Sequence, residues 1–121
     1  MKKWTAVTKS VRINANDGLL VCPKCNGTYT HQSNIEVFNR TREDDPTGSR
    51  FYIVGGTVAF SSSMADNPSS RRQGVRIYFY CEHCHYEGDR PADRPPLYEM
   101  IIYQHKGGTF IEVVYHIEVK Q

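Results

Sequence analysis

The sequence predicts an all-β fold of antiparallel hairpins in one domain, residues 1–121. Three observations carry this. Apolar residues recur at every second position in several windows, and no window has a convincing 3.6-residue period. Two Gly-Gly pairs, Gly55-Gly56 and Gly107-Gly108, each separate two apolar runs, the pattern of hairpin turns. Trp4, eight Tyr and five Phe favour the half-buried surface of a sheet. A chain of 121 residues supports a single core, and 39% hydrophobic against 23% charged residues places it among folded chains.

The elements follow in order. Val7, Lys9, Val11 and Ile13 alternate with polar or small residues and read as a half-buried strand. Asn16-Asp17-Gly18 supplies a turn, since Asp-Gly accepts the positive φ angles of a tight hairpin, and Leu19-Leu20-Val21 then leads into the first cysteines. From Ile35 to Arg42, Ile35, Val37, Asn39 and Thr41 face one way, and Glu36, Phe38, Arg40 and Arg42 the other. Phe51–Val54 and Thr57–Phe60 form the clearest hairpin, across Gly55-Gly56. A second hairpin joins Met100–Tyr103 to Phe110–Tyr115 through Gly107-Gly108, with Ile111, Val113, Tyr115, Ile117 and Val119 sharing a face. Three stretches break the pattern: charged Arg40–Arg50 with its Asp45-Pro46-Thr47-Gly48 turn, polar Ser61–Gly74, and Pro-rich Arg90–Pro96. A structureless loop as long as Ser61–Gly74 is expected to be functional or mobile. A short helical turn over Pro95–Glu99 is compatible but unnecessary.

All four cysteines fall in two C-x-x-C segments, Cys22-Pro23-Lys24-Cys25-Asn26-Gly27 and Cys81-Glu82-His83-Cys84-His85-Tyr86-Glu87-Gly88. A tight turn between paired cysteines aims both sulfurs at one point, and the N–H groups that follow can donate to the thiolates. Gly27 and Gly88 permit the left-handed backbone that lets the chain leave such a turn. Cys22, Cys25, Cys81 and Cys84 together close a tetrahedral site for one structural zinc ion, with no position left for water or substrate. Two other uses of the thiols stay open: buried apolar packing, and dithiol redox chemistry, which expects a C-x-x-C opening a helix in a βαβ unit that this chain lacks. Iron competes for the same thiolates.

With these knuckles the chain resembles the zinc-ribbon families, in which two C-x-x-C knuckles on β-hairpins share one zinc ion. The likeness covers Cys22–Gly27 and Cys81–Gly88, and the chain departs from compact ribbons in its long insert, residues 28–80. The resemblance implies a zinc-ribbon-like four-cysteine site at one corner of a larger β-domain. More loosely, the whole chain is similar to small zinc-binding proteins of bacteria and their phages, which implies no particular activity.

Composition narrows the function classes. The formal net charge is +2, and a four-thiolate zinc site adds about −2, so a nucleic-acid surface would have to be a local cluster. Met1-Lys2-Lys3 is not followed by an apolar h-region, and no apolar run approaches a membrane span. A cytoplasmic protein without membrane contact is expected, where paired cysteines hold metal rather than disulfides.

Catalytic candidates are sparse. His116-Ile117-Glu118 matches half of a zinc-deaminase signature but lacks the cysteine half downstream. His83 lies inside the second knuckle and His85 just after it, as substitute ligands or exposed residues. His31, Glu36, Glu43, Asp44 and Asp45 are the residues a metal-dependent nuclease or hydrolase would have to use.

Binding candidates are Arg40, Arg42, Arg50, Arg71, Arg72 and Arg76 in the insert, with Lys24 inside the first knuckle. Acidic residues interleave with them. The sequence therefore reads as a non-catalytic, zinc-stabilised binding or accessory protein acting through a protein partner or self-association. The alternative is a nucleic-acid-binding ribbon using Arg40, Arg42, Arg71, Arg72 and Lys24, and the third reading is a metal-dependent hydrolase.

Overall fold

The computed structural model describes residues 3–82 and 98–119. Seven strands lie among them: β1 (Lys3–Ser10), β2 (Thr30–Asn39), β3 (Thr47–Val54), β4 (Thr57–Ser63), β5 (Gly74–Cys81), β6 (Tyr98–His105) and β7 (Gly108–Val119). They form one open sheet in the order β1-β7-β6-β5-β2-β3-β4, every pair antiparallel. The expected all-β architecture is present, and the described residues contain no helix.

Both tight hairpins turn on positive φ angles. Gly55 (φ 55°) and Gly56 (φ 80°) join β3 to β4, the two-residue geometry that matches strand twist. The β6–β7 turn is Lys106-Gly107 (φ 48° and 79°) rather than Gly107-Gly108, and Gly108 instead opens β7 opposite His105. β1 ends at Ser10, before the alternation in the sequence does. Beyond it Ile13 bridges to Leu20, and the Asn14 N–H donates to the Leu19 carbonyl at 2.8 Å, around a turn with Gly18 at φ 74°.

β5 is a central strand that the hairpin pattern alone does not reveal. It pairs with both β2 and β6, so the insert between the cysteine segments supplies four neighbouring strands, β5-β2-β3-β4.

Register sorts the side chains by face, because opposed residues in an antiparallel pair point the same way. On one face two apolar rows cross six strands. The first runs Phe60–Phe51–Val37–Val75–Ile102–Ile111, and the second Val58–Ile53–Ile35–Ile77–Met100–Val113. Neighbouring Phe79, Tyr98 and Tyr115 form a third row, which the first cysteine segment covers. There Cys22, Phe79, Cys81, Tyr98 and Val113 make the buried cluster, with Val11, Leu20, Met100 and Tyr115 packed against it.

The opposite face sets buried Phe38 and Ile101 among polar groups that are paired with one another. Glu36, 2% exposed, accepts from Arg50 Nε at 2.8 Å and from the Tyr78 hydroxyl. Arg76 Nη1 pairs with Glu99 Oε2 at 2.7 Å, and the Tyr103 hydroxyl donates to Glu112 at 2.6 Å. Such satisfied networks hold charge inside a sheet without leaving unpaired groups.

The stretch Ser61–Gly74, expected to be a structureless loop that is functional or mobile, is packed. β4 takes its first three residues, and Met64 and Ser69 are buried. The Ser69 hydroxyl donates to the Gln104 carbonyl at 2.6 Å and accepts from the Arg72 N–H at 2.8 Å. A Cβ on Gly74 would come within 2.7 Å of the Pro68 ring, so the loop presses directly on β5.

Candidate metal centre

The first cysteine segment is a closed turn. The Cys22 N–H donates to the Gly27 carbonyl at 2.8 Å, and the Asn26 N–H returns to the Cys22 carbonyl at 3.0 Å. The left-handed residue is Asn26 (φ 65°), one position before the expected Gly27, and the Gly27 N–H donates to Cys25 Sγ at 3.3 Å. Arg12 braces the turn from outside, its guanidinium donating to the Asn26 side chain and, at 3.4 Å, to the Cys22 carbonyl.

Cys81 arrives from the sheet. It is the last residue of β5, opposite Thr30 of β2, and the Glu82 N–H donates to the Tyr29 carbonyl at 3.0 Å beyond it. This pairing carries β5 up to the knuckle and aims Cys81 into the buried cluster beside Cys22.

The three sulfurs of Cys22, Cys25 and Cys81 all lie within 4.8 Å of one another, with Cys25 and Cys81 at 3.5 Å. Four thiolates about 2.3 Å from a tetrahedral centre stand about 3.8 Å apart, so the spacing fits one face of such a site. No disulfide joins any two of the three. Cys22 and Cys81 are buried and Cys25 is exposed. Burial opposes ionisation of Cys22, but hydrogen bonds from the Tyr98 side chain, from the Cys25 and Lys24 backbone and from the Cys25 thiol outweigh it. They bring its pKa from 9.0 to about 7, favouring the thiolate that a metal needs. The trio can hold a metal ion. The fourth expected ligand, Cys84, lies outside the described residues, as do His83, His85, Gly88 and the stretch Arg90–Pro96.

The other candidate residues are dispersed. His31 Nε2 pairs with Glu82 at 3.1 Å and its ring stacks on Tyr80. Glu36 is enclosed by Arg50 and Tyr78, and Glu43 faces Arg71 at 3.4 Å. Among the described residues the cysteine trio is the one group of three or more metal-ligating side chains, so His31, Glu36 and Glu43 are not gathered into a hydrolytic site.

Arg40 is not on the surface with the other arginines. It is 7% exposed, and its guanidinium donates to the carbonyls of Asp45 (2.8 Å), Ser69 (2.9 Å) and Arg72 (2.9 Å). It clamps two loops together instead of offering a phosphate contact. Arg71 pairs with Glu43 and Asp44, each at 3.4 Å, and Arg72 reaches Glu43 at 3.9 Å. Arg50 lies over Phe38 and Tyr52, whereas Arg42 and Lys24 are exposed.

The residues the cysteine search overlooks are the apolar rows. Phe60 is 71% exposed, and Phe51, Ile53, Val58 and Ile111 are exposed with it. Their alternation is legible in the sequence, but which alternating face stays uncovered depends on sheet order. Comparison with known proteins returns no matching family model, no matching curated protein and no matching solved structure. Among the described residues no helix is long and apolar enough to cross a membrane.

Proposed function

We propose that this chain is a non-catalytic, zinc-stabilised binding protein that acts by protein–protein contact on the apolar face of its sheet. The observation that carries the reading is the pair of uncharged rows that surfaces at Phe60, Phe51, Ile53, Val58 and Ile111. Contiguous exposed apolar residues on a folded domain mark interaction sites. The cytoplasm is the proposed compartment, where free thiols persist.

Zinc is the proposed ion, held by Cys22, Cys25 and Cys81 with Cys84 as fourth ligand in the manner of a zinc ribbon. When bound it supplies a cross-link between segments rather than chemistry on a substrate, since four thiolates leave no open position. Cys22 and Cys81 anchor that cross-link in the core, and the Gly27 N–H steadies the Cys25 sulfur.

The nucleic-acid alternative draws less support, because Arg40 is committed to carbonyls and Arg71 and Arg72 face carboxylates. The test is a photo-crosslinking residue placed at position 53 on the apolar face, with position 61 on the other face as control, in the producing cells. Protein adducts from position 53 and not from 61 are expected. Adducts to nucleic acid, or none from position 53, would overturn the reading.

A further inference from the structure

The two edges of the sheet differ. β1 carries Lys3 and Lys9, and charged lysines are a common guard against pairing with another chain. β4, Thr-Val-Ala-Phe-Ser-Ser-Ser, has no charge and no proline, and all seven residues are exposed. The irregularity in its pairing with β3 inserts the extra residue on the β3 side, opposite Ser62, and leaves β4 without an inserted residue of its own.

The turn geometry says which backbone groups of β4 are unused. A two-residue turn at Gly55-Gly56 makes Val54 and Thr57 a hydrogen-bonded pair, so Thr57, Ala59 and Ser61 spend their N–H and C=O groups on β3. Val58, Phe60 and Ser62 direct theirs outward. Phe60 stands at the middle of this set, its ring meeting Phe51 edge to face with centroids 4.9 Å apart.

We propose that a second copy of this chain occupies that edge, β4 pairing antiparallel with β4 about a two-fold axis at Phe60. This rests on the protein-contact reading above and names the partner. Phe60 then forms the central hydrogen-bonded pair with Phe60 of the second copy, and Val58 lies opposite Ser62. The Phe51–Phe60 row runs on from one sheet into the other, with the two Phe51–Phe60 pairs side by side at the seam, while the Val58 row ends against Ser62 of the second copy. Cross-strand aromatic pairs stabilise such a ladder. Because β4 is uncharged from Thr57 to Ser63, its own copy brings no like charge against it. A head-to-tail arrangement would need the lysine-bearing β1 edge, so association closes at two copies.

The test uses the full, zinc-loaded chain in sedimentation equilibrium. Wild type is expected at twice the chain mass at micromolar concentration, and Phe60→Lys at the monomer mass with an unchanged circular dichroism spectrum. A second readout does not depend on that variant folding. Opposed Cα atoms about 5.5 Å apart suit a disulfide, so Phe60→Cys should cross-link under mild oxidation at least ten-fold faster than Val58→Cys or wild type. A monomeric wild type, or mass rising without limit, overturns the proposal. So does a dimer that survives Phe60→Lys, or in which Val58→Cys links as fast as Phe60→Cys. If these fail while position 53 still captures a different protein in cells, the partner named here is wrong and the protein-contact reading stands.

Discussion

Cys25 and Cys81, 56 positions apart in the chain, bring their sulfurs within 3.5 Å of each other. The contact ties an exposed turn to the end of a central strand, and a metal ion held by Cys22, Cys25 and Cys81 would lock it. Zinc binding contributes about 10–16 kcal/mol in small zinc peptides, as much as the whole stability of a typical domain. Cys81→Ser is therefore expected to lose most of the folded population. Chelation of the wild type should lower its melting temperature sharply, and added zinc should restore it. A normal melt for both the variant and the chelated protein would sink the zinc reading.

Arg40→Ala should cost about 3 kcal/mol, read as a lower urea midpoint, because it strands carbonyls of Asp45, Ser69 and Arg72 that receive charged donors. Arg40→Lys should recover only part of this, since one ammonium cannot reproduce the planar fork. A variant as stable as wild type would mean that the loops hold without the clamp.

Tyr78 makes stability fall at alkaline pH. Burial, and then its hydrogen bond to the Glu36 carboxylate, push the phenol well above its ordinary value of 10.0. The folded state thus favours the neutral phenol, and this contribution is complete below the unfolded value and lost as pH rises past it. Between about pH 8 and about pH 11 the urea midpoint of wild type should fall more steeply than that of Tyr78→Phe. Equal slopes would refute the assignment.

The double change Arg71→Ala with Arg72→Ala should shift stability by less than about 1 kcal/mol, because its ion pairs with Glu43 and Asp44 are largely solvated. Fluorescence anisotropy with labelled single- and double-stranded oligonucleotides should show no salt-dependent binding in either protein. Tight wild-type binding that the double change weakens would revive the nucleic-acid alternative.

Where local chemistry dictates geometry, the sequence was readable. Gly55-Gly56 needs positive φ at both positions, and the C-x-x-C spacing already placed Cys22 beside Cys25. The second turn slipped by one residue because Lys106 adopts a left-handed conformation that composition assigns to glycine. β2 starts at Thr30, five residues before the apolar alternation, since polar Thr30–Asn34 is held by pairing with β5 through a bulge rather than by burial. The signal for β5 was present in Val75, Ile77, Phe79 and Cys81, but nothing local says that it returns to β2 after the β3–β4 excursion. Arg40 was illegible for a similar reason, because two of the three carbonyls it binds, those of Ser69 and Arg72, come from a loop 29 and 32 positions away.

Strand order also sets an order in time. β3–β4 and β6–β7 close on two-residue turns, and hairpins of that kind form in about 1–10 μs. β1 has no such shortcut, since it must find β7 across almost the whole chain, Lys3 opposite Val119. Pairings this remote in sequence slow the folding of a β-domain. We expect β1 to dock last and, pairing with β7 alone among the described strands, to fray first, its amides exchanging with solvent fastest of all the strands while those of β5 and β6 exchange slowest. Slow exchange in β1 would show that the two ends of the chain meet early instead.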